Sequence, residues 1–207
     1  MNDVAVDGSV PQIIGTPWNG GFFAGRILIN GNLELHALIV SPRAEGDLEP
    51  IAWNASRKNV AGAGSFYDGK ANTVAMAEAG SKLAKQILDL KIGGFDDWYL
   101  PSRDELELLY RHFKPGTGEN FVWRNGDNPS SSPVGYPYTA KLPGQTSIAD
   151  FRDDGSPEAF EEAWYWSSTQ FAAAPEYAWC QYFYDGSQGD YHEVYSLRAR
   201  AVRRVKL

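Results

Sequence analysis

The sequence predicts an α+β fold with two helices, small antiparallel sheets and long irregular loops. Three observations lead there. Short apolar runs bounded by turn residues open and close the 207-residue chain. Two segments between them carry apolar residues at helical spacing. The stretch from Gly116 to Phe160 is dense in Gly, Pro, Ser, Asn and Asp and has little period of any kind, the mark of a long loop with a task of its own.

Residues 1–17 are polar and aperiodic and are assigned to an N-terminal arm or linker; residues 18–207 are assigned to one domain. In "FFAGRILINGNLELHALIVSP" two apolar runs flank Asn30-Gly31-Asn32, a turn that favours positive φ. This predicts a hairpin with strands near Phe22–Ile29 and Leu33–Val40. "RAEGDLEPIAW" and "NVAGAGSFYDGKANT" read as loops. Thr73 to Leu90 reads as one helix, with Gly80, Leu83, Ala84, Ile87 and Leu88 on one stripe. Asn72 or Thr73 is its expected cap, "KIGG" its stop, and Gly80 is expected to allow close packing.

The stretch "GGFDDWYLPSRDELELLY" announces a second helix. Ser102 and Glu105 form an S-x-x-E capping box, Asp104 and Glu105 complement the positive helix end, and Leu106, Leu109, Tyr110 and Phe113 make one apolar stripe. Asp96 to Tyr99 precede it in an aromatic turn that sets its direction of approach. After the long loop, "AWYWSST", "EYAWCQYFYDG" and "YSLRARAVRRV" read as closing strands. In the last, Arg198 and Arg200 share one face of a half-exposed edge. Their stems are expected to cover aromatic surface and their heads to pair with carboxylates, the alternative being phosphate or sulfate binding.

Composition excludes several classes. Apolar content of 43% supports a sizeable core, and seven Trp, 11 Tyr and 10 Phe suit both an irregular core and a recognition surface. A net charge of −7 argues against nucleic acid and anionic membrane as partners. The lone Cys180 excludes an internal disulfide and a multi-cysteine metal site. No apolar run approaches the roughly 20 residues of a membrane helix. The opening "MNDVAVDGSVPQ" lacks a basic region followed by an apolar one, so synthesis in a cytoplasm without secretion by that route is expected.

Catalytic signatures are missing. There is no phosphate-binding loop, no G-x-G-x-x-G between strand and helix, and no G-x-S-x-G elbow. His36, His112 and His192 are far apart, and His192-Glu193 lacks the second His of a zinc helix. Asp96–Asp97 and Asp153–Asp154 read as turn formers and solvated charges, the alternative being cation binding or acid/base work. "YDGSQGDYHE" reads as a loop whose Asp185, Gln188, Asp190 and Glu193 have oxygens that could meet at one Ca²⁺, though not at EF-hand spacing. The chain is therefore expected to be no enzyme, with no catalytic residue, metal or cofactor.

Several of these stretches together resemble a known family. "YDGKANT", a helix, "GGFDDWYLPSRDELELLY", "YWSST", "AWCQYFYDG" and "RARAVRRV" resemble the Lcl C-terminal domain-like family, over about Phe22 to Leu207. The specific parts are D-W-x-L-P-[ST]-x-x-E-L (Asp97, Trp98, Leu100, Pro101, Ser102, Glu105, Leu106), W-S-S-[ST] (Trp166 to Thr169) and V-R-x-V (Val202 to Val205). The resemblance implies a C-type-lectin-like fold, as found in phage and bacterial surface proteins, with the motif residues as scaffold. The tripeptide that binds calcium and sugar in true C-type lectins has no counterpart, and "Glu49-Pro50-Ile51" lacks the closing amide.

The expected function is a binding module: a receptor- or glycan-binding protein of a virion or cell surface, as in a tail fibre or adhesin. In "AWCQYFYDG" the family pattern implies that Trp179, Gln181 and Phe183 point inward, which leaves Cys180, Tyr182 and Tyr184 on the opposite face. Tyr182, Tyr184, Asp185, Tyr191, His192 and Tyr195 are the candidate ligand-binding residues. An equal reading makes these tyrosines a packing face toward the long loop or a neighbouring subunit. Expected partners are a host receptor or glycan, other virion proteins held through the N-terminal arm, and further copies of the chain. The alternative function is structural, a decoration or baseplate component whose aromatic face is an oligomer interface.

Overall fold

A computed structural model describes residues 9–29, 34–55, 58–123 and 125–207. In chain order these form β1 (Pro17–Trp18), β2 (Gly21–Ile29), β3 (Glu34–Val40), α1 (Arg43–Gly46), β4 (Asp47–Ala52), α2 (Gly69–Glu78), α3 (Lys82–Leu88) and α4 (Arg103–Phe113). After the long loop come β5 (Trp164–Gln170), β6 (Tyr177–Tyr182), β7 (Gln188–His192), β8 (Ser196–Arg200) and β9 (Val202–Lys206). The class is α+β, as expected, with four α-helical segments and one 3-10 turn (Ala149–Phe151) among the described residues rather than two helices. The strands form two sheets, ordered β1-β2-β3-β9 and β4-β8-β5-β6-β7, antiparallel except where β5 meets β8.

The N-terminal hairpin forms close to its expected limits, with Phe22 opposite Val40 and Ile29 opposite Glu34. Its Asn30-Gly31-Asn32 turn lies outside the described residues. The last residues of the expected arm lie against the domain: Gly15 N donates to Phe23 O at 2.8 Å, and Val10 and Ile14 pack on the core.

Three elements differ from expectation. The helix expected over Thr73–Leu90 is two helices, broken at Gly80. Gly80 N bonds Ala77 O at 3.1 Å and Ser81 N bonds Met76 O at 2.9 Å, a Schellman closure with Gly80 at φ +98°. Ser81 then caps α3, its hydroxyl accepting from Ala84 N. Gly80 is therefore a stop and not a packing notch; no atom lies within 4 Å of where its Cβ would be. The first helix begins earlier than expected, capped by Asp68 instead of Asn72 or Thr73. "RAEGDLEPIA" folds as α1 and β4, and "QGDYH" as β7, where loops were expected. Both strands sit at sheet edges and are short and polar, so alternation is too weak to announce them.

α4 forms as its capping box predicts. The Ser102 hydroxyl accepts from Glu105 N, and Glu105 Oε2 accepts from Ser102 N at 2.8 Å. Leu106, Leu109, Tyr110 and Phe113 are all buried. The core has two parts. One gathers Trp53, Trp98 and Trp166 with α2 and α3; the other gathers the α4 stripe with Phe151, Phe160, Tyr165 and Phe183.

The C-terminal arginines pair with carboxylates and cover rings, as expected, but not at a half-exposed edge. Arg200 is fully buried, bonded to Glu158 at 2.8 Å and 4.6 Å above the Phe160 ring. Arg203 grips both oxygens of Asp97. The reason is topological: β8, which carries Arg198 and Arg200, lies inside its sheet between β4 and β5 and not at an edge.

Candidate functional site

The motif residues interlock to form the support for everything else. Glu105 also accepts from Gly69 N at 3.1 Å and Tyr99 OH at 2.6 Å, which ties the start of α4 to the start of α2. Ser168 N donates to Pro101 O at 2.7 Å, and Thr169 Oγ1 accepts from Arg103 N at 3.0 Å. Asn72 Nδ2 reaches Ser65 O, Ser168 Oγ and Thr169 Oγ1. Trp166 Nε1 donates to Ile51 O at 2.9 Å, and Trp53 Nε1 to Ser167 O at 2.8 Å. Trp98 and Trp166 are both fully buried. These side chains face one another and not solvent.

α4 in turn anchors the long loop. Asn128 donates to Glu107 Oε2 at 2.6 Å and Ser130 to Asp104 Oδ2 at 2.7 Å, while Tyr110 OH donates to Asn120 Oδ1 at 2.7 Å. Tyr138 OH donates to Glu107 Oε1 at 2.9 Å. Burial pushes the Asp104 carboxyl up to about 6 and raises that of Glu107. The loop is thus fastened by side chains, together with a short antiparallel bridge to β2 in which Leu28 N donates to Ser130 O and Ser132 N to Arg26 O.

On this support the register of β5, β6 and β7 builds an aromatic strip. Trp164 lies opposite Tyr182 across the β5–β6 ladder, and their rings stack with centroids 5.1 Å apart and planes 14° apart. Trp164 also meets Tyr191 of the edge strand β7 at 5.0 Å. Tyr184 extends the strip from Tyr182 at 5.9 Å, and Tyr195 extends it from Tyr191 at 6.2 Å. Tyr195 turns the corner to His192, which meets Tyr177 at 5.3 Å. Tyr184, Tyr191 and Tyr195 are exposed by 44%, 37% and 59%; Tyr182 and His192 are half-buried.

Five of the six candidate residues therefore belong to one chain of rings. Asp185 does not join it: its Oδ1 accepts from Ser187 N at 2.9 Å and shapes the turn. The oxygens considered for calcium are dispersed, because Asp190 lies on β7 and Glu193 is buried against Gln170 Nε2 at 2.8 Å. Burial, with Glu176 nearby, pushes the Glu193 carboxyl up to about 7. Among the described residues no group of three or more His, Cys, Asp or Glu could hold a metal ion.

The inward and outward assignment needs correction at Trp179 and Cys180. Cys180 shares a face with Tyr182, but that face turns into the tryptophan core, and Cys180 is 2% exposed beside Trp166. Trp179 is half-buried, packed on Phe66 and Phe171 beneath Arg103. Gln181 and Phe183 are buried as expected. A strand with core on both faces does not follow a one-sided alternation.

Two contributors were not legible as site residues. Trp164 joins Tyr182 to Tyr191, and only register shows it. Phe121, Val122 and Trp123 are exposed by 49%, 50% and 65%, and Phe121 N donates to Asp185 O at 2.9 Å, beside Tyr184. Three consecutive apolar residues in an otherwise polar loop were the available signal.

A family model described as the Lcl C-terminal domain matches residues 47–203, from the start of β4 into β9. No curated protein matches the chain.

Proposed function

The chain belongs to the Lcl C-terminal domain family, a membership that suggests a surface or binding-type domain, and on that premise we propose that it is a receptor- or glycan-binding module of a virion. The observation that carries this is the continuous aromatic strip along β5, β6 and β7, with three rings open to solvent. Tyr and Trp bring large, stiff contact area at low entropic cost, and their faces stack on sugars and on apolar parts of receptors. The tightly bonded scaffold beneath holds that surface in one shape, which limits the ordering cost of binding. In this reading the protein is not an enzyme, residues 1–17 tether the domain to other virion proteins, and several copies act together.

The test is a pull-down of purified protein on intact bacterial cells, wild type beside a Tyr182→Ala/Tyr184→Ala variant with a matching thermal melt. Cell binding by the wild type and its loss in the folded variant are expected. A second reading has one observation in its favour: the strip runs along β7, an edge strand, where copies of a chain can pair. A wild type that binds no cells and elutes as a closed oligomer would give that reading, a decoration or baseplate component, the lead.

A further inference from the structure

The charge around the strip narrows the chemistry of its ligand. From Asp153 to Leu197 the chain has nine Asp and Glu and neither Lys nor Arg. Some of these acids are engaged: Glu158 pairs with Arg200, Glu161 with Arg43, and Glu193 is buried. Two others converge at the Tyr184 end of the strip. A Cβ on Gly116 would collide with Glu162 Oε1 and come within 2.9 Å of Asp153 Oδ2; two residues on, a Cβ on Gly118 would touch the Tyr184 ring at 3.2 Å. The bare backbone of Gly116 to Gly118 therefore underlies both a carboxylate pair and an exposed ring.

One cation faces that pair: Lys114, whose Nζ donates to Gly118 O, Asn120 Oδ1 and Pro143 O and whose charge acts on the Glu162 carboxyl. One ammonium against two carboxylates leaves net negative charge there. Arg43 lines the same cleft of about 340 Å³ and is taken by Glu161. Asp153 Oδ1 accepts from Gln145 Nε2 at 3.1 Å. Partial burial and the Asp153 charge beside it hold the Glu162 carboxyl above its usual range. A surface of this kind repels anions and gains from a cation that reaches both the carboxylates and a ring face.

We propose that the strip takes a glycan whose sugars carry protonated amines, with the rings stacking on its tyrosines and an ammonium drawn to Asp153 and Glu162 at the Tyr184 end. This rests on the binding-module reading. The full chain is titrated with short glucosamine oligomers, the same oligomers N-acetylated, and uronate oligomers, each at low and high salt. The glucosamine oligomer is expected to bind about tenfold more tightly than its neutral counterpart, as one cation–π contact and an exposed ion pair together allow. High salt reduces that advantage, and so does Asp153→Asn/Glu162→Gln, which keeps the cation–π contact and still binds the neutral oligomer. Tyr184→Ala weakens both. Equal binding of all three oligomers, a preference for uronate, or no glucosamine binding by a protein that does bind cells overturns this inference alone. A protein that binds neither cells nor oligomers removes the binding-module reading, and this inference with it.

Discussion

At the scale of residues, buried acids do much of the organising. Glu105 is fully buried and collects three hydrogen bonds, with Arg204 at 3.8 Å. Burial raises its carboxyl and those donors and Arg204 pull it back. Asp104 and Glu193 have weaker compensation and are held at about 6 and about 7, both mainly by burial. Their folded-state values lie above their ordinary ones, so the native state holds these protons more tightly than the unfolded chain does. The stability they contribute is full below the ordinary carboxylate range and is lost as pH rises through about 6 to about 7. The melting temperature is therefore expected to be higher near pH 5 than near pH 8, and Asp104→Asn/Glu193→Gln to flatten the difference. Calorimetry across that range checks it, and a wild type whose melt does not change over it contradicts the assignment.

At the scale of elements, two glycines separate backbone strain from collision. Gly80 has φ +98° and open space around it, so Gly80→Ala costs only the left-handed conformation, about 1–2 kcal/mol. At Gly69 a Cβ would strike Glu105 Oε2 and Ser102 N, in the knot that joins α2 to α4. Gly69→Ala is expected to cost about 3 kcal/mol or more, because the obstacle includes backbone and the displaced carboxylate holds several bonds. Denaturant titration of both variants makes the comparison; equal losses would show that the two helices are not joined through Glu105. The Gly80-Ser81 break was written in the chain as a stop followed by a cap, yet the apolar stripe running through it read as one helix. The carbonyl of Trp53, which accepts from Ser81 Oγ, lies 28 positions away and has no local signature.

At the scale of the whole molecule, the closing strands join the two sheets. β8 and β9 are consecutive but belong to different sheets, and Ala201 between them bonds Gly46 O through its N–H and Ser41 N through its carbonyl. The matched family span stops within β9 and begins at β4, so β1 to β3 lie outside it although β3 pairs with β9. The arm also contributes: Val10 and Ile14 pack on the core beside Trp18. Deleting residues 1–16 is thus expected to lower the melting temperature by several degrees while the domain still folds. An unchanged melt would mark the whole arm as separate from the domain.

The sequence by itself determined the class, the hairpin, the capped helix α4 and the residue types of the strip. Each of these rests on neighbours within a few positions, where capping, turn chemistry and periodicity act. Only the tertiary structure decided that Trp164 links Tyr182 to Tyr191, that Cys180 faces the core, and that Asp153 and Glu162 meet above Gly116 near Tyr184. Those outcomes depend on sheet order and on where a loop fastened by asparagines and buried acids lies down. Such contacts join positions far apart in the chain, and no local pattern encodes them.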